Sequence, residues 1–132
     1  MTREIKFRAR RIEDKEWVVG YYLCASGKHF ICPLHDAVSI MGKRTWIDDP
    51  MEVDLETVGQ FTGLFDCKGK GIYEGDVIIQ KEFVRTVKGF VKYIENQFVV
   101  EVKGSYPSPL GWGVNNEVIG NIHNNQVLLN DN

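Results

Sequence analysis

The stretch from residue 59 to 79, GQFTGLFDCKGKGIYEGDVII, constrains this chain more than any other. Two short apolar runs flank Asp66, Gly69 and Gly71, and Glu74-Gly75-Asp76 leads into Val77-Ile78-Ile79. Glycine reaches the positive φ values of tight turns, and aspartate hydrogen-bonds its own backbone there. The β-branched run after Asp76 then reads as a strand. Helix-period patterns are scarce along the rest of the chain, whereas alternation recurs. An all-β fold is therefore expected, with a short helix at most and less than about a fifth of residues helical, against about a third in globular proteins generally.

At 132 residues the chain has the length of one ordinary domain, or of two small halves sharing a core. Hydrophobic residues at 43% and charged residues at 26% match soluble globular composition and argue against disorder. A net charge of −2 gives no global pull toward nucleic acid or an anionic membrane. No apolar run approaches the ~18 residues of a membrane span, so no membrane association is expected. Charges in MTREIKFRARR occupy the place of a secretory apolar region, so export is not expected. Three cysteines at irregular spacing do not suggest a disulfide framework, and a reducing cytoplasm is the expected compartment.

Alternation locates the strands. Ile5, Phe7 and Ala9 point one way while Lys6, Arg8 and Arg10 point the other, as on a half-buried strand. Glu13-Asp14-Lys15 turns the chain toward a strand from Trp17 to Leu23. Ser26-Gly27 is a two-residue hairpin loop returning through His29-Phe30-Ile31-Cys32, which Pro33 is expected to end for want of an N–H. Residues 34 to 56 are the least regular. The run from Asp48 to Glu56 holds five acids and no base, and reads as a solvated connector with one helical turn near Pro50. This places an N-terminal β-rich half at 1–56 and a second half at 57–132, the two forming one compact unit. In the second half, strands at Val58–Leu64 and Asp76–Glu82 precede a hairpin of Thr86–Ile94 and Gln97–Lys103 around Glu95-Asn96. Pairing Ile94 with Gln97 sets Val87, Val91 and Tyr93 on the face of Phe98, Val100 and Val102. A last strand runs over Val118–His123, with Leu128-Leu129 sealing the bottom. Short strands at this spacing with Gly-rich turns suggest a small barrel.

The 59–79 block resembles the phage and prophage YopX family, whose members look like TGL-D-x-x-G-K-x-IYEGD-[IV]. Two further blocks fit in order: REIKFRA at Arg3–Ala9 and EVIGNI at Glu117–Ile122. The resemblance implies an SH3-like barrel for the second half and a phage or prophage protein acting in the cytoplasm of a bacterial host. It implies no assigned biochemistry. Arg10 and Arg11 stand where the family shows Trp-Asp, and His123 where it shows an aromatic residue.

Cys24, His29, Cys32 and His35 are the one metal-like cluster, spaced C-x4-H-x2-C-x2-H. Zinc sites use close ligand pairs separated by a longer gap. The inferred hairpin sets Cys24 opposite His29 and Cys32 on the other face, so one ion could not collect all four. No metal and no cofactor is expected. Catalysis has little to rest on, because no serine lies in a G-x-S-x-G elbow. Asp66, Glu74 and Asp76 read as turn chemistry. Lys68-Gly69-Lys70-Gly71 lacks phosphate-loop spacing.

Two surface clues remain. Lys6, Arg8 and Arg10 form one row on the first strand, expected to be exposed. It could track phosphates, stand as a solvated face, or complement the acidic segment 48–56 within the chain or across a homo-oligomer. Tyr106 and Trp112 sit in the loop GSYPSPLGWG, either as a binding surface on a Pro-containing loop or with Trp112 capping an open barrel end. The expectation is a non-enzymatic binding or interaction module with an unknown phage or host protein partner. Nucleic-acid binding through the basic row and the barrel aromatics is the alternative.

Overall fold

The structure is a computed structural model that describes residues 4–81, 86–104, 106–111 and 115–125. Among them, every regular element is a strand except one 3-10 turn at Leu55–Thr57. The all-β reading from alternation and turn chemistry is the fold observed. The chain divides into two compact units, Met1–Gln60 and Phe61–Asn132, a few residues beyond the boundary expected from composition.

The first unit contains β1 (Phe7–Arg10), β2 (Trp17–Ala25), β3 (Lys28–Ser39), β4 (Gly42–Ile47), β5 (Met51–Glu52) and the start of β6 (Gly59–Phe65). Neighbours run β4-β3-β2-β1-β6, with β5 also on β3. Ser26 and Gly27 at φ 54 and 74 form the tight turn, and Ala25 pairs with Lys28 and Cys24 with His29. Positive φ at both positions matches the right-handed twist of a two-residue hairpin. Cys32 is buried and Cys24 exposed, on opposite faces as inferred. Ala9, Ile31 and Val53 make the core, with Phe7, Val18, Tyr22 and Val58 packed against it.

Two expectations for this unit are corrected. Pro33 does not end its strand, because β3 changes partner there. Residues up to Pro33 pair with β2, and Leu34–Ser39 pair with β4. Pro33 contributes a carbonyl, which accepts from the Asp48 N–H at 2.9 Å, and needs no N–H at the crossover. Nor is 34–56 an irregular connector. It holds half of β3, all of β4, and β5 where a helical turn was expected near Pro50. Val53 is buried in the core, and the one helical turn follows at Leu55–Thr57, capped by the Asp54 carboxylate on the Glu56 N–H at 3.1 Å.

In the second unit β6 pairs with β7 (Gly71–Tyr73). A five-stranded antiparallel sheet follows in the order β11-β10-β9-β8-β12. Its strands are β8 (Asp76–Lys81), β9 (Thr86–Ile94), β10 (Gln97–Glu101), β11 (Ser108–Pro109) and β12 (Asn116–Asn121). Glu95 and Asn96 at φ 49 and 67 turn the β9–β10 hairpin with Ile94 against Gln97, the register that apolar alternation predicts. Ile72, Ile78, Val91, Val100 and Leu110 form the core.

Among the described residues no backbone ladder joins β11 to β12. Side chains tie its ends instead. Gln80 Nε2 donates to the Pro109 carbonyl at 3.1 Å, Ser108 Oγ donates to Gln80 Oε1 at 3.0 Å, and Asn116 Nδ2 donates to the Leu110 carbonyl at 3.0 Å. Leu128-Leu129 lie outside the described residues. No helix among those described is long and apolar enough to cross a membrane.

Candidate functional site

The second half of β3 and β4 form a two-stranded ribbon, Leu34–Ile47, whose residues are almost all exposed. An isolated ribbon is marginal in water, and side chains on both of its faces brace this one. On one face Thr45 Oγ1 donates to Asp36 Oδ1 at 2.8 Å, with Lys43 Nζ 3.9 Å from Asp36 Oδ2. On the other, His35 stacks on Trp46 at 5.4 Å, the Arg44 guanidinium lies 5.6 Å over the Trp46 ring, and His35 Nε2 meets Asp48 Oδ2 at 2.7 Å.

The tip is Ser39-Ile40-Met41-Gly42. Ser39 Oγ accepts from the Met41 N–H at 3.2 Å, and Gly42 takes φ +112. Ser at the first and Gly at the fourth turn position suit a hairpin loop closed by a glycine bulge. The sequence carries that turn signal at Ser39 and Gly42. The turn presents Ile40 and Met41 at 103% and 92% exposure, with Val38 beside them at 82%. Single exposed apolar residues are ordinary, whereas three together at the end of a braced arm form an exposed apolar patch. Beside the base of the arm lie two adjoining grooves. One of about 420 Å³ is lined by Ile47 to Met51, and one of about 430 Å³ by Arg11, Ile12, Glu13, Pro50, Met51 and Glu52.

Of the residues singled out from sequence, Lys6, Arg8 and Arg10 belong to the first unit and Tyr106 to the second. Lys6, Arg8 and Arg10 share a face as predicted, but the row is half-buried rather than solvated. Lys6 Nζ pairs with Glu4 Oε1 at 3.3 Å, and the Arg8 and Arg10 guanidiniums lie 5.1 and 5.7 Å over the Trp17 ring. Strand pairing explains this, since Arg10 faces Trp17 and Arg8 faces Val19 across the ladder. Alternation within one strand shows which side chains share a face, not what the neighbouring strand puts there. The backbone also brings the row's strand to the acidic segment within the chain, with the Asp54 N–H donating to the Arg10 carbonyl at 2.9 Å. Changing Lys6, Arg8 and Arg10 together to Glu is expected to cost about 1–3 kcal/mol of stability through the lost guanidinium–indole contacts. Melting curves beside a gel shift at low salt check this. A stable variant that loses a wild-type shift would return the row to phosphate binding. Tyr106 is 91% exposed on its loop, and Trp112 lies outside the described residues.

Two carboxylates of the turn block, Asp66 and Asp76, hold backbone. Asp66 Oδ1 accepts from the N–H groups of Lys68 and Lys70 at 2.9 and 2.8 Å, and Oδ2 from Val118 at 3.0 Å. Burial pushes the Asp66 carboxyl up, but the Val118, Lys70 and Lys68 N–H donors and the Lys70 charge outweigh it and hold it below its ordinary value. Asp76 Oδ2 accepts from the Tyr73 N–H at 2.8 Å. His29 Nδ1 lies 2.6 Å from the Tyr22 hydroxyl, within its own hairpin.

A family described as YopX protein matches residues 6–130, nearly the whole chain, and the chain belongs to that family. Among solved structures it is similar to protein EF1440 from Enterococcus faecalis, with a TM-score of 0.61 and 23% identity over 97% of this chain and 99% of that one. At that identity the likeness concerns the fold. No curated protein matches the chain.

Proposed function

We propose that this YopX-family chain is a non-enzymatic protein-binding module whose contact element is the β3–β4 arm. It would act in the bacterial cytoplasm as a phage- or prophage-type accessory protein. One observation carries the reading: an apolar tip, Val38, Ile40 and Met41, held in water at the end of a ribbon whose stem is braced by its own side chains. Arms that expose such residues gain free energy by burying them elsewhere. Ile40 and Met41 together offer about 3–6 kcal/mol on burial. Association costs about 4–15 kcal/mol in lost freedom, so the tip alone does not make a stable complex and the stem must contribute contacts as well. A non-catalytic reading is supported by the engagement of Asp66 and Asp76 with backbone N–H groups, which leaves those carboxylates to turn geometry.

A photo-crosslinking residue at position 40 of the full chain, expressed in a bacterial cell, tests the reading against the same residue at the exposed Lys103. Protein adducts specific to position 40, and lost when Met41→Asp is added, are expected. Identical adduct patterns at the two positions would remove the arm as the contact element.

A further inference from the structure

The outer edge of β4 bears no strand among the described residues, since β4 ends the sheet order and pairs with β3 alone. Edge strands invite pairing unless their side chains oppose it. The sequence along this edge reads Gly42-Lys43-Arg44-Thr45-Trp46-Ile47-Asp48-Asp49-Pro50, with two cations at one end and two acids at the other. A strand charged in this way is complementary to its own antiparallel copy.

We infer that the partner of the arm is a second copy of this chain, joined through β4 edges about a two-fold axis at Trp46. The inference rests on the reading of the arm as the contact element. One antiparallel register sets both cations against both acids: Arg44 against Asp48 of the second copy, Lys43 against its Asp49, and Trp46 against its own equivalent. Centring on Arg44 would place that residue against itself, and centring on Asp48 would oppose two carboxylates. Both cost free energy when directly across a ladder.

The backbone phase agrees. The Asp48 N–H donates to the Pro33 carbonyl, and Trp46, Arg44 and Gly42 follow at the two-residue step of the ladder, so their amides point toward β3. Lys43, Thr45 and Ile47 therefore turn their N–H and carbonyl groups outward. About a two-fold at Trp46, Thr45 of each copy exchanges hydrogen bonds with Ile47 of the other. The two Trp46 residues then face each other at a non-hydrogen-bonded position, where side chains approach most closely. Pro50 falls opposite Gly42 at such a position too, and its missing N–H is not required.

The same register accounts for the tip. Between the pairing of Leu34 with Ile47 and that of Ile31 with Met51 one residue is bulged. To within that residue, Ile40 and Met41 of one copy lie alongside Met51 and Glu52 of the other. There the groove lined by Ile12, Pro50 and Met51 offers apolar cover. The contact is isologous, so each tip enters the other copy's groove and the assembly closes at two.

Light scattering on the full chain across about 1–100 µM tests this, with far-UV circular dichroism and melting to confirm the fold of each variant. The wild type is expected to be a dimer. Lys43→Asp alone and Asp49→Lys alone are each expected to weaken it at least tenfold, and the double variant to restore it. A wild type monomeric throughout overturns the inference, as does a dimer indifferent to either single change. A double variant no tighter than the singles overturns the register, and with it the inference. If the wild type is monomeric but position 40 still crosslinks specifically to another protein, the arm remains the contact element and only the second copy is lost. If position 40 gives no specific adduct, the arm itself is lost.

Discussion

Alanine at Gly20 or at Gly89 is expected to destabilise the fold strongly. A Cβ at Gly20 would stand 1.9 Å from the Cys32 carbonyl oxygen, and one at Gly89 would stand 2.3 Å from the Glu101 oxygen and 2.8 Å from Val100 Cγ1. Real side chains do not approach backbone so closely, and a carbonyl in a ladder cannot swing aside without breaking its own bonds. Both glycines sit where a ladder ends. Gly20 and Pro33 are the last pair of β2 with β3, and Gly89 lies one step past the last pair of β9 with β10. The neighbouring strand bends across the chain at that point, and only a residue without Cβ leaves it room. Overpacking costs about 1–3 kcal/mol, and these backbone clashes belong at the upper end. At 4–8 °C per kcal/mol in a small domain, a melting temperature lower by about 10–25 °C is expected for each. Lys92→Ala, on an exposed position of β9, should change stability by no more than about 0.5 kcal/mol. Melting temperatures within a few degrees of wild type for either glycine variant would show that the strands do not cross so closely.

Asp66→Asn is the second large effect expected. The asparagine oxygen can still accept from Lys68 and Lys70, but its amide would point a donor at the Val118 N–H, which Asp66 Oδ2 now satisfies. Losing a buried bond to a charged acceptor and leaving the N–H unmade costs about 2–3 kcal/mol. The sign of the pH dependence follows from the carboxyl being held below its ordinary value of 3.8. Its stabilisation is fully present above that unfolded value and is lost as pH falls through the lower folded one. Wild-type stability should therefore decline on acidification below about pH 4 more steeply than that of Asp66→Asn, measured by denaturant titration at several pH values. Parallel declines would mean that other carboxylates dominate. Lys68, whose ammonium is pushed up by its hydrogen bond and charge contact with Glu117, lies on the surface and adds little to this balance.

The stretch Leu34–Ile47 carries no strand signal in its sequence, for a physical reason. Periodic burial is the signal that betrays a strand, and this ribbon buries neither face, so nothing alternates along it. Its turn chemistry at Ser39 and Gly42 was readable, but without flanking alternation it did not identify a hairpin. Lys6, Arg8 and Arg10 show a different limit. Their shared face follows from the two-residue period, while their contact with Trp17 depends on which strand comes to lie beside them.

What the sequence by itself determined is local. Ser26-Gly27 and Glu95-Asn96 accept the positive φ of two-residue turns, alternation then sets Cys24 against His29 and Ile94 against Gln97, and an aspartate in a glycine turn binds backbone. Each of these is decided by residues a few positions apart. Only the tertiary structure decided that β3 changes partner at Pro33, that Val53 anchors the acidic segment in a core, and that side chains rather than a ladder tie Gln80 to Pro109. It also decided that an apolar tip stands in water. These outcomes depend on which distant strands become neighbours. Backbone groups pair alike with any strand, so that choice is made by the summed burial of side chains across the whole sheet.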